Sequence, residues 1–291
     1  MCEIAIAEWN VRGENSKHCQ TYVAYRLMDL EYKKKDGSII KGADIIVLTE
    51  YVEKKNYDGP FEKIMKESGY HLFRCSTTNR GNCILIAIRK NLVENGIDRR
   101  KRIYKMPPST ISNPEFMCVY FELDIEGKKY PISIIGYRAV TDSNWENRYK
   151  MLENLFQYLA NKLERKFLQN IVWVGDFNNG KIEEENNIDY QYKKKNSTKY
   201  NYQKIKKLFL SYGFDVSCTT PSEPEVFSFK NAKGKFKLDH LFVKGLTCKE
   251  IKYNWDWKQK DNRKDKYEEN GKVKGYDPDH AILQALVEVI Q

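Results

Sequence analysis

The chain contains the stretch Asn170-Ile171-Val172-Trp173-Val174-Gly175-Asp176-Phe177-Asn178, in which an apolar run gives way to polar residues. Its β-branched and aromatic residues are typical of a buried strand. The strand is expected to end near Gly175, so that Asp176 and Asn178 lie where a loop begins. Loops on a rigid scaffold often carry chemistry, although a simple turn would explain an isolated Gly-Asp-Phe-Asn about as well. The stretch therefore gains meaning only if other strands bring acids to the same place.

Polar side chains recur at the ends of the other predicted strands. Each lies beside an apolar run, where an unpaired ionised carboxylate is costly. Several such placements indicate a charged partner that the side chains share. They are Asn10 after the first strand, Glu50 after the second, Asp239 near the start of a later strand, and Asp279 with His280 just before the last strand.

This set of side chains is rich in oxygen donors and poor in histidine. Such donors suit a hard cation, Mg²⁺ or Mn²⁺, better than zinc. A magnesium site usually takes one or two protein carboxylates and leaves its other positions to water and substrate phosphate. The remaining acids are then free to transfer protons or to orient a histidine.

The charge of the chain is the next constraint. Its 291 residues include 50 Lys and Arg against 40 Asp and Glu, which gives a net charge of +10 and a pI near 9.0. A positive charge favours an anionic partner such as nucleic acid, but a lysine-rich solvated surface would have the same charge. Net charge alone does not choose between these readings.

Cysteine usage and hydropathy bear on the compartment. The seven cysteines form no C-x-x-C pair, which is typical of free thiols in a reducing compartment. The chain starts with an alternating strand pattern, and no apolar run is long enough to cross a bilayer. We expect a cytoplasmic protein that does not associate with membranes.

Strand-like and helix-like segments alternate along the chain without repeats or low-complexity linkers. Apolar spacing predicts helices over 16–32, 61–67, 144–166 and 202–212. Alternation of this kind predicts sheets with helices on their outer faces. With no Gly/Pro/Ser-rich break, we expect one domain over 1–291.

Five motifs carry a resemblance to a known family. In chain order they are Trp9-Asn10, Thr49-Glu50, Gly175-Asp176-Phe177-Asn178, Leu238-Asp239 and Asp279-His280. Together they resemble the endonuclease/exonuclease/phosphatase superfamily, whose fold is deoxyribonuclease I-like, and they extend over essentially the whole chain. The resemblance implies a two-sheet α/β (α+β) sandwich with helices on the outer faces, a four-layer fold. It also implies a divalent-metal phosphoesterase site at one edge of the sheets.

The resemblance assigns a role to each motif residue. Glu50 would hold the metal with Asn10 beside it, and Asp279 would complete the metal shell or its water network. Among the catalytic residues, Asp176 would activate the attacking water and Asn178 would bind phosphate oxygens. His280 would face the scissile phosphate, and Asp239 would accept its other N–H and so set its tautomer.

The sequence departs from the family pattern between Glu50 and Asp176. Many members place a histidine or tyrosine at a strand end there, whereas this chain has Tyr137-Arg138. Strand alternation lets only one of these neighbours point inward. We expect Arg138 to contact the phosphate, because a guanidinium can bind it bidentately, and Tyr137 is the alternative contact. His240, although it follows Asp239, is expected to be structural.

The segment 252–276 bears on the substrate. It is expected to be a loop that overhangs the site, and it carries Trp255 and Trp257 among lysines and arginines. Rings that stack on bases, mixed with cations that pair with phosphates, suit a nucleic acid. The acids in the same segment are also compatible with an ordinary solvated loop.

The sequence therefore predicts an enzyme that hydrolyses phosphodiester bonds in nucleic acid, with DNA favoured over RNA. The mechanism would be in-line attack by a water that Asp176 activates, assisted by Mg²⁺ or Mn²⁺ and by His280. The first alternative is a metal-dependent phosphatase of small anionic phosphoesters such as inositol phosphates. The second is a catalytically silent member of the same fold that only binds nucleic acid.

Overall fold

The computed structural model of the chain describes residues 2–12, 17–52, 59–75, 82–93, 96–106, 114–140, 144–179, 200–223, 225–231, 234–259, 266–269, 272–275 and 279–289. The strands in these ranges are β1 (Cys2–Asn10), β2 (Glu31–Lys33), β3 (Ile39–Lys41), β4 (Ile45–Val52), β5 (Tyr70–Arg74), β6 (Asn82–Arg89), β7 (Arg102–Ile103), β8 (Glu115–Ile125), β9 (Lys128–Arg138), β10 (Ile171–Asp176), β11 (Phe229–Asn231), β12 (Gly234–Phe236), β13 (Asp239–Lys244), β14 (Leu246–Asn254), β15 (Lys266–Glu269), β16 (Lys272–Gly275) and β17 (Ile282–Val289). The α-helices are α1 (Lys17–Met28), α2 (Pro60–Glu67), α3 (Trp145–Lys162), α4 (Tyr202–Ser211) and α5 (Asp256–Gln259).

Most strands belong to two sheets that face each other. One sheet has six strands in the order β14-β17-β1-β4-β6-β5, and the other has five in the order β13-β10-β9-β8-β7. Two neighbouring pairs run parallel, β1 with β4 in the first sheet and β9 with β10 in the second. The carboxyl ends of these central strands are where the sequence motifs place their polar residues.

Hydrophobic packing divides the molecule into four layers. Between the sheets, side chains such as Ile6 and Val47 belong to the same buried cluster as Ile134 and Val174. Helices α1 and α2 contribute to a second cluster on the outer face of the six-stranded sheet. Helices α3 and α4 contribute to a third on the outer face of the five-stranded sheet. The predicted four-layer sandwich is confirmed.

Several predicted boundaries differ from the structure. The helix expected over 16–32 ends at Met28, because the chain turns there into β2, where buried Tyr32 donates its hydroxyl to the carbonyl of Ile6. The helix expected over 144–166 ends at Lys162, and a short 3₁₀ turn, Arg165–Leu168, follows it. None of the helices in the described ranges has both the length and the apolar character needed to cross a membrane.

The segment 252–276 is not simply a loop, contrary to the expectation from its composition. Strand β14 continues to Asn254, α5 follows at Asp256–Gln259, and β15 pairs antiparallel with β16. Tyr253 belongs to the buried core, where its hydroxyl donates to the carbonyl of Asp239. Side-chain positions over 258–278 lie outside the described residues, so the interleaving of aromatic residues and cations stays a prediction there.

Gly175 allows β10 to pass close to its neighbour. Its φ is +152°, and it lies opposite Tyr137 in the parallel pairing with β9. A Cβ at this position would overlap the carbonyl oxygen of Tyr137, which is backbone and cannot rotate away. Only glycine combines this φ with such a close approach.

We therefore expect Gly175→Ala to lower the free energy of unfolding by at least about 3 kcal/mol, because both strain and overlap act there. Gly37→Ala is a matched control: its φ of +85° is also unfavourable for alanine, but its Cβ would meet no atom within 4 Å. The control should cost about 1–2 kcal/mol. Urea denaturation measures the free energy of unfolding of both variants. Equal losses in the two variants would show that the overlap with Tyr137 is relieved.

His240 is part of the core, as expected. It is fully buried, its Nε2 lies 2.7 Å from Asn179 Oδ1, and its ring stacks on Tyr202 at 4.8 Å. Burial, followed by the positive charge of Lys237, lowers the pKa of His240 to about 3 from the ordinary 6.5. The imidazole is therefore neutral in the folded protein at any mild pH.

Acid should consequently destabilise the fold through His240. Below pH 6.5 the unfolded chain takes up a proton that the folded chain refuses until about pH 3. The free energy of unfolding due to this group therefore falls by about 2 kcal/mol between pH 7 and pH 5. Urea denaturation at both pH values should show a smaller loss for His240→Gln than for the wild type. The idea fails if the two proteins lose the same stability.

Candidate functional site

The polar residues that end the central strands meet at one edge of the sandwich. In the six-stranded sheet, Asn10 at the end of β1 lies opposite Thr49 of β4. In the five-stranded sheet, Asp176 at the end of β10 lies opposite Arg138 of β9 and opposite Asp239 of β13. The two sheets thus bring residues that are far apart in sequence to neighbouring positions.

One buried amide joins the two sheets at this edge. Asn10 Nδ2 donates to Glu50 Oε1 at 3.0 Å and to Asp176 Oδ2 at 3.1 Å. Glu50 has a φ of +52°, where the pairing of β4 with β6 is irregular between Leu48 and Tyr51. An amide that donates to two carboxylates lowers the cost of holding them close together.

Asp176 is oriented by the residue two positions later. Its Oδ1 accepts from the backbone N–H of Asn178 at 2.9 Å, and its Oδ2 accepts from Asn178 Nδ2 at 3.0 Å. Asn178 Nδ2 also donates to the carbonyl of Ala139 at 3.0 Å. Both amide hydrogens of Asn178 are therefore used within the protein, so contact with a phosphate would require one of them to be released.

Asp239 and His280 form a buried pair beside Asp176. His280 Nδ1 lies 2.8 Å from Asp239 Oδ2, and Asp239 is fully buried. Ser228 Oγ accepts the backbone N–H groups of Leu238 and Asp239, and Trp9 Nε1 donates to the carbonyl of His280. The imidazole is thus held in place from several strands, with Nε2 as its remaining nitrogen.

Burial and charge oppose each other in this cluster. Burial disfavours the imidazolium, but the carboxylates of Asp239, Asp176 and Asp279 outweigh it and raise the pKa of His280 to about 9. Burial raises the pKa of Asp176 to about 6, with Asp239 adding to the shift and His280 and Arg138 opposing it. Near neutral pH this places a cationic imidazole beside a carboxylate.

Two residues near the site were not anticipated from the sequence. Glu8 on β1 is fully buried, accepts from Thr49 Oγ1 at 3.1 Å, and has a raised pKa through burial and then through Asp239 and Asp176. The signal for it in the sequence is an acid that interrupts the apolar run between Ala7 and Trp9. Arg148 on α3 donates from Nη1 to the carbonyl of Asn178 at 2.8 Å.

The neighbours Tyr137 and Arg138 face opposite ways, as strand alternation requires. Arg138 Nη2 lies 2.7 Å from Glu50 Oε1, and its Nη1 lies 3.3 Å from Glu115 Oε1. Tyr137 has no exposed surface and packs against Phe177 in the outer core. The suggestion that Tyr137 contacts substrate is wrong, because its ring lies on the face of β9 that the helices cover.

The two tryptophans differ in exposure. Trp257 is 3% exposed and packs against Trp9 with ring centroids 5.7 Å apart. It belongs to the core, so the prediction that it binds substrate is wrong. Trp255 is partly exposed, packs on Phe227 at 5.2 Å and donates from Nε1 to the carbonyl of that residue. Its contact with substrate stays a prediction.

Asp279 lies at the more exposed side of the site. Its carboxylate is about a third exposed, at 34%, and Oδ2 is 3.9 Å from Arg12 Nε. Arg12 has a φ of +54° and follows Asn10, whose Oδ1 accepts the Arg12 backbone N–H. Asp279 therefore faces solvent and a cation, whereas Asp239 is enclosed.

The donor atoms suit a hard divalent cation. Asp176, Asp239 and His280 each offer an atom within 4.8 Å of the others. Asp239 Oδ1 is buried and has no hydrogen-bond partner among the described residues, which is costly for a carboxylate oxygen. Glu50 and Asp279 keep part of their side chains exposed, at 19% and 34%, so an ion with bound water can reach them.

Comparison with known proteins places this geometry in context. The sequence matches no protein-family model and no curated protein. Solved structures do match. A 3′ phosphatase from Neisseria, NExo, bound to a product DNA hairpin, is 14% identical over 97% of this chain and 98% of its own, with a TM-score of 0.61. ANGEL2, a 2′,3′-cyclic phosphatase in complex with adenosine-2′,3′-vanadate, is 13% identical over 99% and 96%, with a TM-score of 0.58.

A third match comes with a family name. It is an endonuclease/exonuclease/phosphatase family protein from Bacteroides thetaiotaomicron, 12% identical over 100% of this chain and 99% of its own, with a TM-score of 0.54. Identities this low bear on the fold and leave activity open. The resemblance drawn from the five motifs is confirmed at that level: this chain has the deoxyribonuclease I-like fold of the endonuclease/exonuclease/phosphatase superfamily.

Proposed function

We propose that this protein is a divalent-metal-dependent hydrolase of phosphodiester bonds in nucleic acid, with DNA favoured over RNA. The observation that carries the proposal is the buried Asp239–His280 pair, 2.8 Å apart, beside the oriented carboxylate of Asp176. During hydrolysis the carboxylate can accept a proton, and the positioned imidazole beside it can donate one.

The chemistry requires charge stabilisation, because a phosphodiester is anionic and its alkoxide is a poor leaving group. A bound Mg²⁺ or Mn²⁺ would supply part of that stabilisation as a Lewis acid. In this chain Glu50 would hold the ion, with Asn10 beside it and Asp279 in its water network. Glu50 is preferred to Asp239 because Asp239 is fully enclosed, whereas 19% of the Glu50 side chain is exposed.

Asp176 would take a proton from the attacking water. Its two oxygens receive hydrogen bonds from Asn10 and Asn178, which hold the carboxylate in one orientation. His280 would donate from Nε2 to the phosphate, while Asp239 keeps the proton on Nδ1 and so sets the tautomer. Arg138 would add a permanent positive charge that can bind two phosphate oxygens.

Nucleic acid is supported by three observations. The chain has a net charge of +10, and partly exposed Trp255 offers a ring for stacking. NExo holds a DNA hairpin and ANGEL2 an adenosine vanadate, so both carry nucleotide-like ligands. Both are also phosphatases by name, which keeps the phosphatase of small anionic esters, such as inositol phosphates, as the second candidate.

The residues at the centre should be indispensable for turnover. We expect Asp176→Asn and His280→Gln each to lower kcat by about 10²–10⁴-fold, because the first removes the proton acceptor and the second removes the proton donor. The matched controls are Asp124→Asn near the end of β8 and His71→Gln on the edge strand β5, which should leave kcat unchanged. Hydrolysis of labelled oligonucleotides with Mg²⁺, Mn²⁺ or chelator measures the effect.

Turnover that persists in the presence of chelator would contradict the requirement for a divalent metal. Full activity of both Asp176→Asn and His280→Gln would contradict the catalytic roles assigned to these two residues. A folded wild type that binds DNA yet turns over no phosphoester with either metal would favour the catalytically silent alternative.

Salt dependence should separate the two substrate classes. Binding of an oligonucleotide to Asp176→Asn should weaken with a log–log slope of about −3 or steeper between 50 and 200 mM KCl, since each phosphate contact on a single strand contributes about −0.7. Fluorescence polarisation measures this slope. Weak, salt-insensitive oligonucleotide binding together with turnover of inositol phosphates would favour the small-ester phosphatase.

A further inference from the structure

Arg138 is enclosed between carboxylates of both sheets. Its side chain is 17% exposed, with Nη2 at 2.7 Å from Glu50 Oε1 and Nη1 at 3.3 Å from Glu115 Oε1. Glu115 lies directly opposite Arg138 on β8, and Asp176 lies opposite it on β10. A single guanidinium thus offsets part of the repulsion among these carboxylates.

The pair with Glu50 is the shorter of the two. The same oxygen, Oε1, also accepts from Asn10 Nδ2 at 3.0 Å, so Glu50 is already bonded before any ion arrives. Glu50 is also the carboxylate that the proposed function assigns to the metal. The guanidinium of Arg138 lies 2.7 Å from Glu50 Oε1. A divalent cation bound to Glu50 would therefore repel this guanidinium in a partly buried site.

We propose that Arg138 is the resident counter-ion of Glu50, that it competes there with the divalent cation, and that it moves to the substrate phosphate when that anion binds. Metal binding and phosphate binding are then coupled, because the phosphate draws the guanidinium away and frees Glu50. The inference rests on the metal site of the proposed function and adds to it a residue that sets the metal affinity.

The surroundings of Arg138 allow such an exchange. Glu115 is a second, longer partner whose side chain is 32% exposed, so the guanidinium stays anchored at the site when it leaves Glu50. Arginine has five N–H donors in a planar fork that matches two phosphate oxygens. The neighbouring Tyr137 is fully buried on the opposite face, which fixes the direction of Arg138 along β9.

A purely structural ion pair would behave differently. If Arg138 served only to stabilise the fold, its removal would lower stability and leave the affinity of the folded protein for metal unchanged or weaker. If Arg138 competes with the metal, removing its charge tightens metal binding. Metal affinity therefore distinguishes the two roles.

The test measures Mn²⁺ binding by isothermal titration calorimetry in phosphate-free buffer. Arg138→Met and Arg138→Gln should each bind Mn²⁺ about tenfold more tightly than the wild type, which lies within the usual range of coupling between sites. Arg138→Lys, which keeps the charge, should stay near the wild type. Arg100→Met is the control for net charge, because Arg100 is 91% exposed and pairs with Asp98.

The second arm uses inorganic phosphate as the probe. Phosphate should tighten Mn²⁺ binding to the wild type more than it does in Arg138→Gln, because only the wild type has a guanidinium to withdraw. By reciprocity, Mn²⁺ should tighten phosphate binding by the same factor. Arg138→Gln retains a side chain that can hydrogen-bond Glu50, so the test does not depend on Arg138→Met folding.

Three outcomes overturn the inference, and they have separate meanings. If the wild type binds Mn²⁺ and both charge-removing variants bind it no more tightly, Arg138 does not compete and only this inference fails. If Arg100→Met tightens Mn²⁺ binding as much as Arg138→Met does, the effect is due to the net charge of the protein. If neither the wild type nor the variants bind Mn²⁺ or Mg²⁺, the metal of the proposed function fails as well.

Discussion

Mutual repulsion of buried carboxylates is the constraint on which the rest of this structure depends. Glu8, Asp176 and Asp239 are buried, and Glu50 is partly buried, where they converge at one edge of two hydrophobic sheets and water cannot screen them fully. No single interaction offsets this cost. It is divided among a guanidinium, an imidazole and an amide, each with specific geometry.

The three compensating groups come from different parts of the fold. Arg138 pairs with Glu50 across the two sheets, and His280, just before β17, pairs with Asp239 at the start of β13. Asn10 carries no charge but donates to carboxylates of both sheets. In this arrangement Glu50, Asp176 and Asp239 already have partners, so a phosphate or a metal that enters must exchange partners with groups already present.

Backbone strain is concentrated at the same edge. Glu50 and Asn178 have φ values of +52° and +48°, and Gly175 has +152°. Non-glycine residues adopt such angles only when their surroundings compensate, and these residues lie where strands end and side chains must turn inward. The hydrophobic layers on both sides supply the rigidity, because core packing does not allow the strand ends to relax. The scaffold and the site are therefore linked through the carboxyl ends of β4 and β10.

Much of this arrangement could be predicted from local patterns. Apolar runs located the central strands, and acids at their ends indicated a shared polar edge, because the carboxyl ends of parallel strands meet. Alternation required Tyr137 and Arg138 to face opposite ways, and the structure has one in the outer core and the other against Glu50. Composition was a weaker guide: Trp257 stands among cations in sequence, yet it packs on Trp9.

The sequence by itself determined the alternation of strands and helices, the fold family and the set of polar residues at the strand ends. These properties follow from periodicity and from the cost of placing charge beside apolar runs, both of which are local. Only the tertiary structure decided which groups meet: Arg138 with Glu50, Ser228 with the backbone of Asp239, and Glu8 with the cluster behind them. Those pairings join residues up to hundreds of positions apart. They depend on how two sheets pack face to face, and a pattern read along one strand carries no information about the strand that lies across from it.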